Sequence, residues 1–195
     1  MARHFIAILA GSLRSDSINR KIARSICALE QDRLDCAIVE IGDLPLYNQD
    51  YDGSPDEPAS YARFRDTIFK ADGILFVTPE YNRGIPGVLK NAIDVGSRPY
   101  GKSVWNRKPA AIVSASPGGI GGFGANHQVR QSCVFLNMPV MQHPEAYLGR
   151  VNDDSFGPDG LLADGPLKDL VKHIAEAFAD WVTLIEKSKS LIEAK

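Results

Sequence analysis

Residues 5–19 read FIAILAGSLRSDSIN. The first six are apolar without interruption, and Gly11-Ser12 then ends the run. A short apolar run closed by such a breaker reads as a strand buried on both faces. From Ile18 the period changes, and Ile18, Ile22, Ile26 and Leu29 fall on one side of a helix. A strand that passes through a short polar loop into a helix is the repeating unit of an α/β protein.

The same unit recurs downstream. Cys36–Glu40 reads as a second strand, residues 47–58 as a surface loop rich in Pro, Asp, Gly and Ser, and Tyr61, Phe64, Ile68 and Ala71 as a helix face. Gly73–Thr78 is a third strand that stops at Pro79, and Pro86 suits the first turn of a helix carrying Leu89, Ala92 and Ile93. Ala110–Ala115 is a fourth strand, Ala125, Val129, Cys133 and Leu136 mark the next helix, and Pro139–Gln142 is the expected fifth strand. Leu167, Leu170, Val171, Ile174, Phe178, Trp181, Val182 and Ile185 give the last and most regular helix. Five such units imply one three-layer domain over residues 1–195, a five-stranded parallel sheet with right-handed crossovers. Strand order 2-1-3-4-5 is the expected arrangement, although the sequence alone does not order the strands. Ligands of such sheets bind beyond the carboxyl ends of the strands, so the loops after strands 1, 3 and 4 are the informative places.

Bulk composition excludes several classes. The 195 residues are 44% hydrophobic and 24% charged, with a formal net charge of −2, which argues against nucleic-acid binding by broad phosphate neutralisation. No apolar run reaches the length of a membrane span, and the N-terminal stretch reads as a strand, not as a secretory signal. Cys27, Cys36 and Cys133 are odd in number and read as small buried thiols. The expected compartment is the cytosol. His4, His127, His143 and His173 are too scattered for a metal site.

The loop Gly11–Asn19 offers three serine hydroxyls, Arg14, Asn19 and the free amides of a helix N-terminus. This is an array suited to a phosphate, and Arg14 can pair with two phosphate oxygens. The competing reading is a plain N-cap by Ser15 or Ser17. The Gly-Lys-Ser/Thr ending of a Walker loop is missing, which disfavours ATP or GTP hydrolysis. At this point the chain resembles the NADPH-dependent FMN reductase family, whose opening motif Gly-Ser-x-Arg-x-x-Ser-x-Asn is matched by Gly11, Ser12, Arg14, Ser17 and Asn19. The resemblance implies a flavodoxin-like fold and assigns the FMN phosphate to Ser12, Arg14, Ser17 and Asn19.

The third-strand loop, TPEYNRGIPG at 78–87, is a rigid Pro-rich turn in which Gly84 and Gly87 permit close approach. With KNAID at 90–94 it is similar to the second signature of the family. By that resemblance Pro79, Glu80, Tyr81 and Asn82 bind the flavin, largely through backbone groups, with Ile85 as a further candidate. Lys90 and Asp94 read as a helix-surface pair at i,i+4 spacing. The fourth-strand loop, SASPGGIGGFG at 114–124, contains Gly119-x-Gly121-x-x-Gly124, a pattern shared with dinucleotide-binding folds. It follows the fourth strand, not the first, so a Gly-rich wall beside the flavin is the preferred reading. A Ser-x-Gly-Gly segment at this place in the family brings in Ser116, Gly118 and Gly119. His127 and Arg130 are read as surface or subunit-contact residues.

The resemblance runs roughly from strand 1 to strand 5 and is closest to quinone, chromate and azo reductases. It implies that NADPH or NADH passes a hydride to FMN, which then reduces a small-molecule acceptor. No side chain is then required as a catalytic group, because the cofactor carries the chemistry. The expected assembly is a homodimer or homotetramer, with no nucleic-acid or membrane partner; Tyr100, Trp105 and Phe123 would suit a subunit contact or equally the core. The alternatives are a non-enzymatic FMN electron carrier, a flavin-free Rossmann-type dinucleotide-binding protein, and a regulatory module that keeps only the fold.

Overall fold

The computed structural model describes residues 3–193. Five parallel strands, β1 (His4–Ala10), β2 (Leu34–Ile38), β3 (Gly73–Thr78), β4 (Ala110–Ala115) and β5 (Tyr147–Leu148), form one sheet in the order β2-β1-β3-β4-β5. Helices α1 (Ile18–Leu29), α2 (Ala59–Lys70), α3 (Gly87–Gly96), α4 (Phe123–Phe135) and α5 (Pro166–Glu193) cover it. This is the flavodoxin-like arrangement expected from the alternation of elements. All residues of β3 and β4 are buried, which is why these central strands are apolar but for Thr78 and Ser114. The strand period of two then sorts side chains into two cores. Ile6, Ile8, Leu75, Val77 and Val113 pack against Ile22, Ile26, Ile174 and Phe178 of α1 and α5. Ala7, Leu9, Ile74, Phe76 and Ile112 face Tyr61, Phe64, Leu89 and Val129 of α2, α3 and α4.

Three expectations need correction. The second strand begins two residues earlier than its hydrophobic run, at Leu34, because Leu34–Ile38 pairs with His4–Ile8. The fifth strand is not 139–142. Val140 makes only a lone bridge to Ala110, pairing lapses, and it resumes where Tyr147 and Leu148 lie beside Ser114 and Ala115. Pro139 and Pro144 have no N–H to offer a ladder, so this edge is stitched in two pieces. Cys27 and Cys36 are half-buried and not isolated, since α1 and β2 bring them near each other; the neighbouring Cys36 thiol and burial push the Cys27 thiol well above its ordinary range. Cys133 is buried, which raises its thiol to about 12.

Trp105 belongs to the core. It is fully buried, donates its indole N–H to the Ile93 carbonyl at 2.9 Å, and lies against Gly96, where a Cβ would come within 2.5 Å of the ring. Tyr100, by contrast, is 91% exposed.

Candidate functional site

The loops after β1, β3 and β4 meet at the carboxyl edge of the sheet. Gly11 sits where they touch, because a Cβ there would lie 2.8 Å from Thr78 Oγ1 and 3.2 Å from Pro79 Cδ. Ser17 is the N-cap of α1, its Oγ accepting from the Arg20 N–H at 3.3 Å. The cap reading is therefore correct for Ser17, and its hydroxyl proton remains free for a second partner. The backbone N–H groups of residues 12–17 have no acceptor among the described residues, and the Arg14 guanidinium is exposed with no ion pair among them. Asn19 is buried and donates Nδ2 to the Ala115 carbonyl at 3.2 Å, which ties α1 to the end of β4. Its Oδ1 is buried with no partner in the described residues.

The turn after β3 is closed by a reciprocal pair of bonds, Tyr81 N–H to Gly84 O at 3.0 Å and Gly84 N–H to Tyr81 O at 2.9 Å. Asn82 and Arg83 between them are both left-handed, with φ of 52° and 64°, as in a tight primed turn. Glu80 does more than precede this turn. Its carboxylate accepts from the Ala125 N–H at 3.1 Å and from Arg83 at 2.7 Å. The N-cap position of α4 is Gly122, which has no side chain, so Glu80 caps that helix from another loop. Burial pushes the Glu80 carboxyl up, but hydrogen bonds from Ala125, Arg83 and Gly124 outweigh it and hold the group below its ordinary value.

That arrangement bears on the Gly119-x-Gly121-x-x-Gly124 pattern. The amides at the start of α4, which a dinucleotide pyrophosphate would need, already serve a carboxylate. The glycines answer to packing instead. A Cβ on Gly121 would fall 2.6 Å from the Tyr147 carbonyl carbon, and one on Gly149 would fall 2.5 Å from Gly119 O. Ser116 Oγ accepts from the Gly118 N–H at 3.0 Å and shapes the wall.

Two adjoining cavities result. One of about 190 Å³ is lined by Ser12, Arg14, Ser17, Asn19, Pro79, Glu80, Tyr81 and Ser116. The other, of about 450 Å³, is lined by Glu80, Asn82, Arg83, Ser116, Gly118 and Gly119. Ile85 lines neither; its N–H is held by Gln128 Oε1 at 2.9 Å and its side chain packs toward the α2–α4 core. Sequence reasoning passed over Arg83, although it stands inside the quoted motif, and Arg150, which follows the misplaced fifth strand. His127 is exposed and bonded to the Tyr147 hydroxyl at 2.9 Å, whereas Arg130 is an internal tie to Asn126 and the Met141 carbonyl. Lys90 and Asp94 form the surface pair expected of them, at 2.7 Å. Among the described residues no group of His, Cys, Asp and Glu could hold a metal, and no helix is long and apolar enough to cross a membrane.

Comparison with known proteins gives concordant matches. The family model described as NADPH-dependent FMN reductase matches residues 5–153. A quinone reductase of Pseudomonas putida is 56% identical over 184 residues, 92% of this chain and 95% of that protein. A 2-hydroxy-1,4-benzoquinone reductase of a Burkholderia species is 41% identical over 177 residues, 91% of this chain and 95% of the relative. Among solved structures, the flavoenzyme NAD(P)H:(acceptor) oxidoreductase FerB of Paracoccus denitrificans superposes with a TM-score of 0.87 at 38% identity, covering 92% of this chain and 97% of the other.

Proposed function

Because the chain belongs to the NADPH-dependent FMN reductase family, we propose that it reduces quinones, with FMN anchored in the smaller cavity and its ring reaching along the Gly118–Gly119 wall into part of the larger one. It is an NAD(P)H-dependent, FMN-binding oxidoreductase. A quinone is preferred over chromate or an azo compound as acceptor because of the activities named for the Pseudomonas and Burkholderia relatives.

The observation that carries the cofactor assignment is the buried, unpartnered Oδ1 of Asn19 beside a loop of unpaired amides. A buried acceptor left alone costs about 1–3 kcal/mol, so a donor is called for. A phosphate dianion offers none, whereas the polyol chain that joins the flavin phosphate to its ring does. Asn19 is therefore assigned to the polyol, and Ser12, Arg14 and Ser17, with the amides of residues 12–17, to the phosphate. The Pro79–Asn82 turn, Ser116, Gly118 and Gly119 are placed along the ring system, where backbone groups serve the pyrimidine edge. Ile85 supports the turn from behind. Bound FMN supplies hydride transfer between the pyridine nucleotide and the acceptor. The chain's share is to anchor, orient and leave one side of the slot open, since Gly118 and Gly119 place no side chain in it.

The same reading takes residues 1–195 as one cytosolic domain that self-associates as a homodimer or homotetramer. Val134, Phe135 and Tyr100, 79%, 89% and 91% exposed, support that assembly. The function is tested by purifying the protein, releasing its chromophore by denaturation, and following NADPH and NADH oxidation with a benzoquinone added. A yellow, FMN-containing protein that turns over both substrates is expected. Bound FMN without turnover would favour an electron carrier, and absence of flavin would sink the proposal.

A further inference from the structure

We propose that Arg83 and Arg150 form the subsite for the 2′-phosphate of NADPH, which makes this enzyme selective for the phosphorylated nucleotide. The proposal rests on the reading above and adds residues outside the family motifs. Arg83 lines the 450 Å³ cavity directly. Arg150, on the segment after β5, lies beside the Gly118–Gly119 wall of that cavity. Its backbone N–H donates to the Gly118 carbonyl at 3.2 Å, and its Nε lies 3.9 Å from the position a Cβ on Gly119 would take. One guanidinium thus lines the cavity, and a second, from a different loop, lies against its Gly119 wall.

The backbone singles out the same residues. Five non-glycine residues of the described chain have positive φ, and Asn82, Arg83 and Arg150 of this rim are three of them, at 52°, 64° and 59°. Asparagine is at home in that region, but arginine is not, and such outliers gather at ligand sites. The charges are also available. Arg150 makes no ion pair among the described residues. Arg83 spends one terminal nitrogen on Glu80, and no partner of its Nε and second terminal nitrogen is found among the described residues. That bond fixes one edge of the planar fork while the opposite edge still fits a phosphate. A chain with a net charge of −2 concentrates positive charge here without any general affinity for polyanions. Exposed arginines at a rim suit a group that stays near solvent while the nicotinamide enters. A neutral quinone offers them carbonyl acceptors but no charge, whereas a phosphate offers both.

The test uses FMN-loaded wild-type protein, Arg150→Gln, Arg83→Gln and the double variant. Steady-state kinetics with NADPH and with NADH against one benzoquinone are joined to calorimetric titration with 2′,5′-ADP and 5′-AMP. The ratio of kcat/KM for NADPH to that for NADH is expected to fall about tenfold or more in Arg150→Gln, through KM, as for a lost charged hydrogen bond. It should fall further in the double variant. Affinity for 2′,5′-ADP should drop in parallel, with 5′-AMP little changed. Arg150→Gln leaves the Glu80–Arg83 pair untouched, so a structural effect of Arg83→Gln does not blur the result. Equal losses with both nucleotides, a loss confined to the quinone KM, or a wild type that binds 2′,5′-ADP no better than 5′-AMP would each overturn the subsite. In those cases flavin content and NADH oxidation remain, and the reductase reading stands. A protein with no flavin and no oxidation of either nucleotide would remove both.

Discussion

At the scale of single residues, Arg14 and Glu80 carry opposite charges with opposite kinds of work. Arg14 is exposed and unpaired among the described residues, so it contributes little to the folded apoprotein and is available to a ligand. Arg14→Ala is expected to weaken FMN binding about tenfold or more, as for loss of a charged hydrogen bond, and fluorescence titration of the apoprotein measures it. Unaltered FMN affinity would show that Arg14 is not a phosphate clamp. Glu80 is the reverse case, with its side chain only 7% exposed and engaged by Ala125 and Arg83. Because its folded pKa is held below the ordinary 4.5, its contribution is complete above about pH 4.5 and disappears as the pH falls through the lower folded value. Glu80→Gln should cost about 1 kcal/mol near neutrality, a capping-sized loss. The gap from wild type should close in urea denaturation run at progressively lower pH below 4.5. A gap that stays constant with pH would mean that the carboxylate is not what caps α4.

At the scale of elements, β1, β3 and β4 were readable because each is a mostly apolar run with a Gly or Pro within two residues of its end, and all residues of β3 and β4 are buried. β5 was not readable, since it is two residues long and its pairing is broken around Pro139 and Pro144. The error propagated: with the strand placed at 139–142, nothing directed attention to Arg150. The Gly11–Asn19 loop and the Pro79–Asn82 turn were legible as local motifs that share one cavity, whereas the capping contact of Glu80 spans 45 residues of sequence. The Gly-rich loop shows why a pattern can mislead. Its spacing matches a dinucleotide fingerprint, yet Gly121 is there because β5 backbone occupies the space of a side chain. Gly121→Ala combines that clash with a φ of 65° and should destabilise by about 2–4 kcal/mol. Gly101→Ala has φ of 81° but open space around it, and should cost only about 1 kcal/mol. Equal midpoints for the two variants in chemical denaturation would contradict the packing account.

At the scale of the whole molecule, the core and the ligand loops are physically separate sources of stability. The two cores lie on the faces of the sheet, and the loops gather at one edge of it. Trp105 exemplifies the first: it is buried between Phe64 and Phe76 at centroid distances of 6.0 and 6.1 Å, in the layer opposite α1 and α5. Removing such a side chain leaves a cavity and typically costs about 3–5 kcal/mol. FMN in the proposed site would act through the second source, since a ligand bound only by the folded state raises stability in proportion to the logarithm of its concentration over Kd. The two should therefore be separable by thermal unfolding with and without added FMN. Trp105→Ala should lower the apoprotein Tm substantially and still show an FMN-induced rise close to that of wild type. Arg14→Ala should leave the apoprotein Tm nearly unchanged and show a diminished rise. If Trp105→Ala abolished the rise while Arg14→Ala preserved it, the site would be organised by the α2–α4 core and not by the Gly11–Asn19 loop.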